Sequence, residues 1–370
     1  MDRSTRPERL RLPRFAIVFL AIAVLCTLLS LLFRVSSDFA DFFNRAVSQP
    51  LRVLFAWITY PLPFSLAEAM LLLSPLALAL LIRHAVRRYC TSWRAVGIYL
   101  VCLVAAASLF FSSFVLIFGA GYHGTTIDSE DKLDLARSNV SAEELYTTAC
   151  HLAERLSEEA EHVVFAHEDF SVMPYTRGEM NQKLMAAYET VSEQYDFLPH
   201  FTSRIKPVML SVPMSYTHIT GVYSYFTGEA NLNVDFPDYT LPFTAAHELA
   251  HQRGIARENE ANFIAYLVCI SSDDAYIRYS GYLSMYEYVA SALYGADSDL
   301  YYEARSLLPL TVRYEQWAYR QFFDRYRDSV ASEVTGTVND TYLKLQGTEG
   351  TRSYGLVVDL AVAYDKKIYQ

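Results

Sequence analysis

The fold class this 370-residue chain predicts is an α-helical membrane region followed by a mainly helical α+β domain. Three observations point to it. Long uncharged apolar runs are confined to the first third of the chain. The amphipathic stretches after residue 122 carry the 3.6-residue period of helices, and one short stretch, Glu229–Val234 (EANLNV), alternates polar and apolar with the period of two of a strand.

The membrane region comes first, after a short N-terminus of residues 1–14. Phe15–Phe33 has no charged residue across 19 positions, enough to cross about 30 Å of hydrocarbon as a helix. Phe64–Ile82 is apolar apart from Glu68, and residues 95–119 make a third segment inside the uncharged run Ala95–Tyr122, long enough to span with tilt. Three such segments within 120 residues argue for membrane spans rather than core helices. The first ends on Leu32-Phe33-Arg34 with no small-x-small cleavage signal, so it reads as an anchor and not as a signal peptide. Arg3, Arg6, Arg9, Arg11 and Arg14 precede the first span, and Arg83, Arg87, Arg88 and Arg94 lie between the second and third. Both clusters read as cytoplasmic, which puts residues 34–63 and the domain of residues 123–370 outside. Glu68 falls near the outer end of the second span. There it is a functional candidate by default, or a carboxylate that reaches water or an external arginine.

Charge follows the same division. Residues 1–120 hold twelve basic and five acidic side chains, a balance of +7, so the chain's −10 leaves −17 on the remainder. An acidic domain has no patch to neutralise phosphates, which excludes nucleic acid and leaves the lipid bilayer as the implied partner. Between the first two spans, Asp38–Tyr60 carries Phe39, Phe42, Phe43 and Val47 at helical spacing, then Phe55 and Trp57. This predicts a helix lying on the outer leaflet or packed on the external domain. Within that domain, Ser141–Ala166 and Thr311–Tyr326 read as amphipathic helices. Tyr276, Tyr279, Tyr282 and Tyr286 read as a packing stripe with hydroxyls at its rim. Of five cysteines only Cys150 and Cys269 are external; they can bridge, or Cys269 is a buried thiol of an apolar helix. There is no C-x-x-C pair, no phosphate-binding P-loop and no G-x-S-x-G elbow.

The chemistry concentrates in Thr244–Gly254 (TAAHELAHQRG), which contains His247-Glu248-Leu249-Ala250-His251. On a helix, imidazoles four residues apart share one face. Two neutral imidazoles so placed hold a zinc ion and leave a coordination position open. Glu248 follows the first ligand directly, where its carboxylate can take a proton from metal-bound water. Gly254 suits a C-terminal cap, and Arg257–Cys269 opens a second helix with acids. A metzincin-type third histidine would fall on Arg257, which leaves Glu258 and Glu260. Glu260 shares a face with Phe263, Ile264 and Leu267, where a carboxylate is costly unless its charge is compensated. Zinc would compensate it, so Glu260 is favoured as the third ligand. Glu258, over Ala261 and Ala265, suits the helix dipole and stays the alternative. Candidates to stabilise an oxyanion are Tyr216, His218, Tyr223, Arg257 and Tyr354.

Glu258–Ala265 reads E-x-E-A-N-x-x-A after H-E-L-A-H, and this resembles the zinc sites of gluzincin-type metallopeptidases. It is also similar to the ImmA/IrrE-type peptidases, whose E-A-N glutamate is the third ligand; here that residue is Glu260. Over nearly its full length the chain resembles an uncharacterised bacterial family of membrane-anchored proteins. The shared features are three N-terminal membrane segments, the phrase Leu241–His251 with Gln252 and Gly254, and the segments Val338–Gly347 and Ser353–Tyr364. The resemblance implies a zincin-like membrane metallopeptidase and supplies no substrate; with the arginine clusters, the expectation is a zinc-dependent peptidase acting on a peptide or protein substrate at the outer face of a bacterial cytoplasmic membrane. In that reading Glu229–Val234 is an edge strand that pairs with the substrate through main-chain hydrogen bonds; the alternative is a core strand with solvated polar positions. The rival functions are a non-catalytic zinc-containing sensor and a membrane-assembly factor. Glu248 weighs against both, because a structural site needs no base.

Overall fold

The computed structural model describes residues 12–89, 92–137, 139–166, 170–327, 329–346 and 356–369, and these are mostly helical. Three of the helices are long and apolar enough to cross a membrane: α1 (Arg14–Val35), α4 (Leu66–Arg88) and α5 (Trp93–Ile117). Serine caps start two of them, Ser65 accepting from the Glu68 N–H and Ser92 from the Ala95 N–H. α1 and α5 lie against each other, whereas along α4 only Glu68 is buried.

The segment between the first two long helices forms α2 (Ser37–Phe43), a π-helical turn (Asn44–Ser48) and α3 (Gln49–Thr59). Of the two placements expected from the sequence, packing on the rest of the chain is the one seen. Phe43 packs on Phe33 of α1, with ring centroids 5.0 Å apart. α3 lies under the turn of a β-hairpin but leaves Leu54, Trp57 and Ile58 exposed.

The rest of the chain runs through α6 (Ala142–Ala160), α7 (Arg177–Gln194), β1 (Lys206–Pro207), α8 (Ser211–Ser215), β2 (Gly221–Ser224), β3 (Glu229–Leu232), α9 (Thr240–Gln252), α10 (Glu258–Ile270), α11 (Ala275–Ala296), α12 (Ser298–Ser306), α13 (Leu310–Asp324), α14 (Val330–Leu345) and α15 (Val357–Tyr369). Capping boxes set the starts of α6 (Ser141 with Glu144) and α7 (Thr176 with Glu179). α11 is the hub, packing on α6, α9, α10, α12 and α15. Its tyrosine stripe is packing, with Tyr282 half-buried at the surface and Tyr276, Tyr279 and Tyr286 buried. Tyr279 donates to the buried Glu315, and Tyr276 meets the Ser171 hydroxyl at 3.2 Å. Cys150 and Cys269 are free thiols.

The sheet corrects one expectation. Its order is β1-β3-β2, with β1 parallel and β2 antiparallel to β3. The stretch expected at the edge is therefore the central strand, and all four of its residues are buried. The alternation misled because the polar positions are satisfied internally. Glu229 accepts two backbone N–H groups from α4, and Asn231 donates to the Val222 and Glu229 carbonyls. β2 is the edge strand instead, and it packs on α9.

Candidate metal centre

α9 carries the H-E-x-x-H sequence and begins four residues before the expected Thr244. Pro242 in its first turn costs nothing there, because the first N–H groups of a helix have no partner in any case. The helix is buried almost throughout. The Tyr188 hydroxyl donates to the Ala246 carbonyl at 2.5 Å. Arg253 is sandwiched between Tyr188 and Phe201, at 3.9 and 4.7 Å from the ring centroids. Gly254 ends the helix at φ +99°, a conformation that a side chain would strain. The turn brings the Ile255 carbonyl to 2.7 Å from His251 Nδ1. A carbonyl can only accept, so Nδ1 carries a proton and Nε2 is the atom left to face the cluster.

That Nε2 meets a carboxylate from the next helix. Arg257 is extended and caps α10, so Glu258 is the first helical residue. Its Oε2 lies 3.2 Å from His247 Nε2 and 3.6 Å from His251 Nε2. One ligand atom from each of the three residues falls within a 4.8 Å cluster. Zinc bonds of about 2.1 Å at tetrahedral angles separate ligand atoms by about 3.4 Å, so the spacing fits that ion. Two buried polar atoms beside the cluster, His247 Nδ1 and Glu248 Oε2, have no protein partner.

The preference for Glu260 is corrected. Glu260 is buried, as its apolar neighbours implied, but Arg257 compensates it. Arg257 Nη1 donates to Glu260 at 2.8 Å and Nη2 to the Gly124 carbonyl at 2.7 Å, while the Ile127 N–H donates to Glu260 at 3.3 Å. Two residues along a helix turn the side chain through about 200°, so only one of the two glutamates can face the histidines.

Glu248 leaves the helix about 60–100° round from the two histidines and lies against β2. A Cβ at Gly221 would lie 2.5 Å from Glu248 Oε1 and 2.6 Å from its Cγ, so the strand comes this close only because residue 221 is glycine. The Tyr223 N–H donates to the carboxylate. Burial raises the Glu248 pKa to about 7 against the pull of His247 and His251. Burial also opposes charge on His251, but Glu258 and Glu248 outweigh it and leave that ring at about 9. Burial disfavours a charged Glu258 as well, yet His251 and His247 hold it well below the usual carboxylate range.

Aromatic side chains close the site. Phe118 packs edge-on against the His251 ring with centroids 5.8 Å apart. The Tyr122 and Tyr342 hydroxyls meet at 3.3 Å. Burial, then the Glu258 charge, raises the Tyr288 hydroxyl to about 12. None of these carries a local sequence signal; they arrive from α5, α11 and α14 through the fold. Of the expected oxyanion candidates, Tyr223 backs Glu248 through its main chain, and Arg257 is occupied by Glu260. Tyr216 and His218 both engage Tyr326. Tyr354 lies outside the described residues.

These features define a mostly helical protein with three membrane-length helices and a two-histidine, one-carboxylate cluster with a second carboxylate alongside. The chain belongs to the family described as "Protein of unknown function (DUF3810)", whose model matches residues 39–362, from α2 into α15 and across the whole cluster. No curated protein and no solved structure matches it.

Proposed function

We propose that this is a membrane-anchored zinc peptidase with a zincin-like domain, hydrolysing peptide bonds on the outer side of a bacterial cytoplasmic membrane. The observation that carries the reading is the convergence of His247, His251 and Glu258 within 4.8 Å, with Glu248 beside them holding a buried oxygen that has no partner. A purely structural cluster gains nothing from that fourth side chain. His247, His251 and Glu258 would hold the metal. Zinc bound there supplies Lewis acidity, polarising a carbonyl and making water more acidic. Glu248 takes the proton from the attacking water and returns it to the leaving amine. The Ile255 carbonyl keeps His251 in the tautomer that presents Nε2. Tyr288 and Tyr342 both sense the Glu258 charge and are the hydroxyls proposed to stabilise a developing oxyanion. The bilayer is the partner of α1, α4 and α5, and the arginine clusters set the domain outside.

One panel of variants tests this. Purified protein should carry about one zinc per chain. His247→Ala, His251→Ala and Glu258→Gln should each lose most of it, whereas Glu260→Gln should keep it. Glu248→Gln should keep zinc and fold while hydrolysis of a quenched peptide library slows by a factor on the order of a hundred or more. Zinc-loaded Glu248→Gln with wild-type turnover would falsify the mechanism.

A further inference from the structure

The domain grips the outer ends of all three long helices, and the metal cluster sits among those grips. At the end of α1, Arg34 donates to the Leu345 carbonyl of α14 at 2.8 Å. At the start of α4, the Leu66 and Ala67 N–H groups donate to Glu229 at 3.0 and 2.9 Å. In return Glu68 accepts from the Met209 and Leu210 N–H groups at 2.9 and 2.8 Å. At the end of α5, the first residue beyond the helix is Phe118, whose ring touches the ligand His251.

Parts of the domain reach below these ends. The β2–β3 turn sets Phe226 against Phe110 and Tyr225 against Phe114, with centroids 5.9 and 5.5 Å apart. Those partners lie seven and three residues before the end of α5, roughly 10 and 5 Å down its axis at 1.5 Å per residue. Beside the first turn of α4, Met209 is 78% exposed, with Leu210 and Val212 next to it. On α3, Trp57 is 61% exposed. With α1, α4 and α5 taken as spans, Tyr225 and Phe226 reach lipid depth, and the exposed Met209 and Trp57 add apolar surface that the outer leaflet would cover.

We propose that the site acts at the bilayer surface on polypeptides tethered to the same membrane by a lipid or a helix, cutting within the first few residues outside the anchor. This rests on the peptidase reading and specifies its substrate class. An extended chain rises about 3.3 Å per residue, so the His251 ring, 5.8 Å from that of Phe118, is about two residues from the end of α5. A soluble peptide must enter the headgroup layer to reach it. A tethered one is already there, at an effective concentration raised by its anchor.

The test uses the full chain in lipid nanodiscs and a mixed-sequence quenched peptide library made twice, with and without an N-terminal palmitoyl chain. The palmitoylated library should be cut at least tenfold faster, at bonds clustered near the anchor, and Glu248→Gln should cut neither. A second readout is independent of turnover. In Trp93→Phe/Trp317→Phe protein, where Trp57 is the remaining tryptophan, lipids brominated high on the acyl chain should quench its emission. Equal, Glu248-dependent cleavage of both libraries overturns the inference and leaves the peptidase standing. Unquenched Trp57 overturns it whatever the turnover. Quenched Trp57 with no cleavage of either library overturns the peptidase reading and this inference with it.

Discussion

Gly221 is where a single atom decides the chemistry. A methyl group there would occupy the space of the Glu248 carboxylate, and a side-chain end gives way more readily than a strand paired to β3. Gly221→Ala should therefore fold and retain zinc but lose turnover by about tenfold or more, because the base is turned from its position. Zinc content and kcat on the same preparation check this; unchanged kcat would show that Glu248 tolerates the shift. The HELAH stretch made three site residues legible, because helical spacing alone puts His247 and His251 on one face and Glu248 beside them. The third ligand was half legible. Burial of Glu260 followed correctly from Phe263, Ile264 and Leu267, but the neutralising charge was Arg257, three residues back on the same turn. Gly221 had no sequence signal, since a glycine read alone does not say which side chain it makes room for.

Elements are joined here through polar groups that look ordinary in the sequence. The first N–H groups of a helix have no partner within it, and a carboxylate at that end also meets the positive pole of the helix. For α4 this carboxylate is Glu229 of β3, and Lys206 of β1 donates from the same sheet to the Thr59 carbonyl at 2.8 Å and to the Leu62 carbonyl. Glu229→Ala should leave both α4 N–H groups unpartnered and cost on the order of 2 kcal/mol. That is a fall of several degrees in Tm for a domain of this size. Zinc content should not change, and an unaltered melting curve in detergent would show that the clasp contributes nothing. The three long helices were legible to within a few residues, because uninterrupted apolar runs allow little else. The sheet order was not. Its strands are two to four residues long, and the buried polar positions of β3 imitate a strand with one wet face.

Across the whole molecule, acid-base behaviour and assembly order both follow from what the core encloses. Burial, then Glu315, raises the Glu287 pKa from 4.5 to about 7, and burial raises Glu315 as well. A carboxyl raised on folding favours the folded state while it is protonated. Its contribution is complete below about pH 4.5, declines as the unfolded chain ionises, and is lost above about 7. Thermal stability should fall across that window, and Glu287→Gln should flatten the decline and melt a few degrees higher at pH 8. A parallel decline in the variant would assign the effect to other groups. The core has a further consequence in time. α10, which begins with Glu258 of the cluster, packs on α15, where Tyr364 meets Phe263 and Tyr266 with centroids 5.6 and 6.3 Å apart. At 5–20 residues per second, synthesis reaches α15 on the order of ten seconds after it finishes α10. Until then one flank of α10 has nothing to pack on. A ribosome-stalled chain ending before Val357 should fail to retain zinc, and retention would show that α15 is dispensable. On the peptidase reading proposed above, the site would then stay incomplete during synthesis, and α15 would do the work that removal of an inhibitory propeptide does elsewhere.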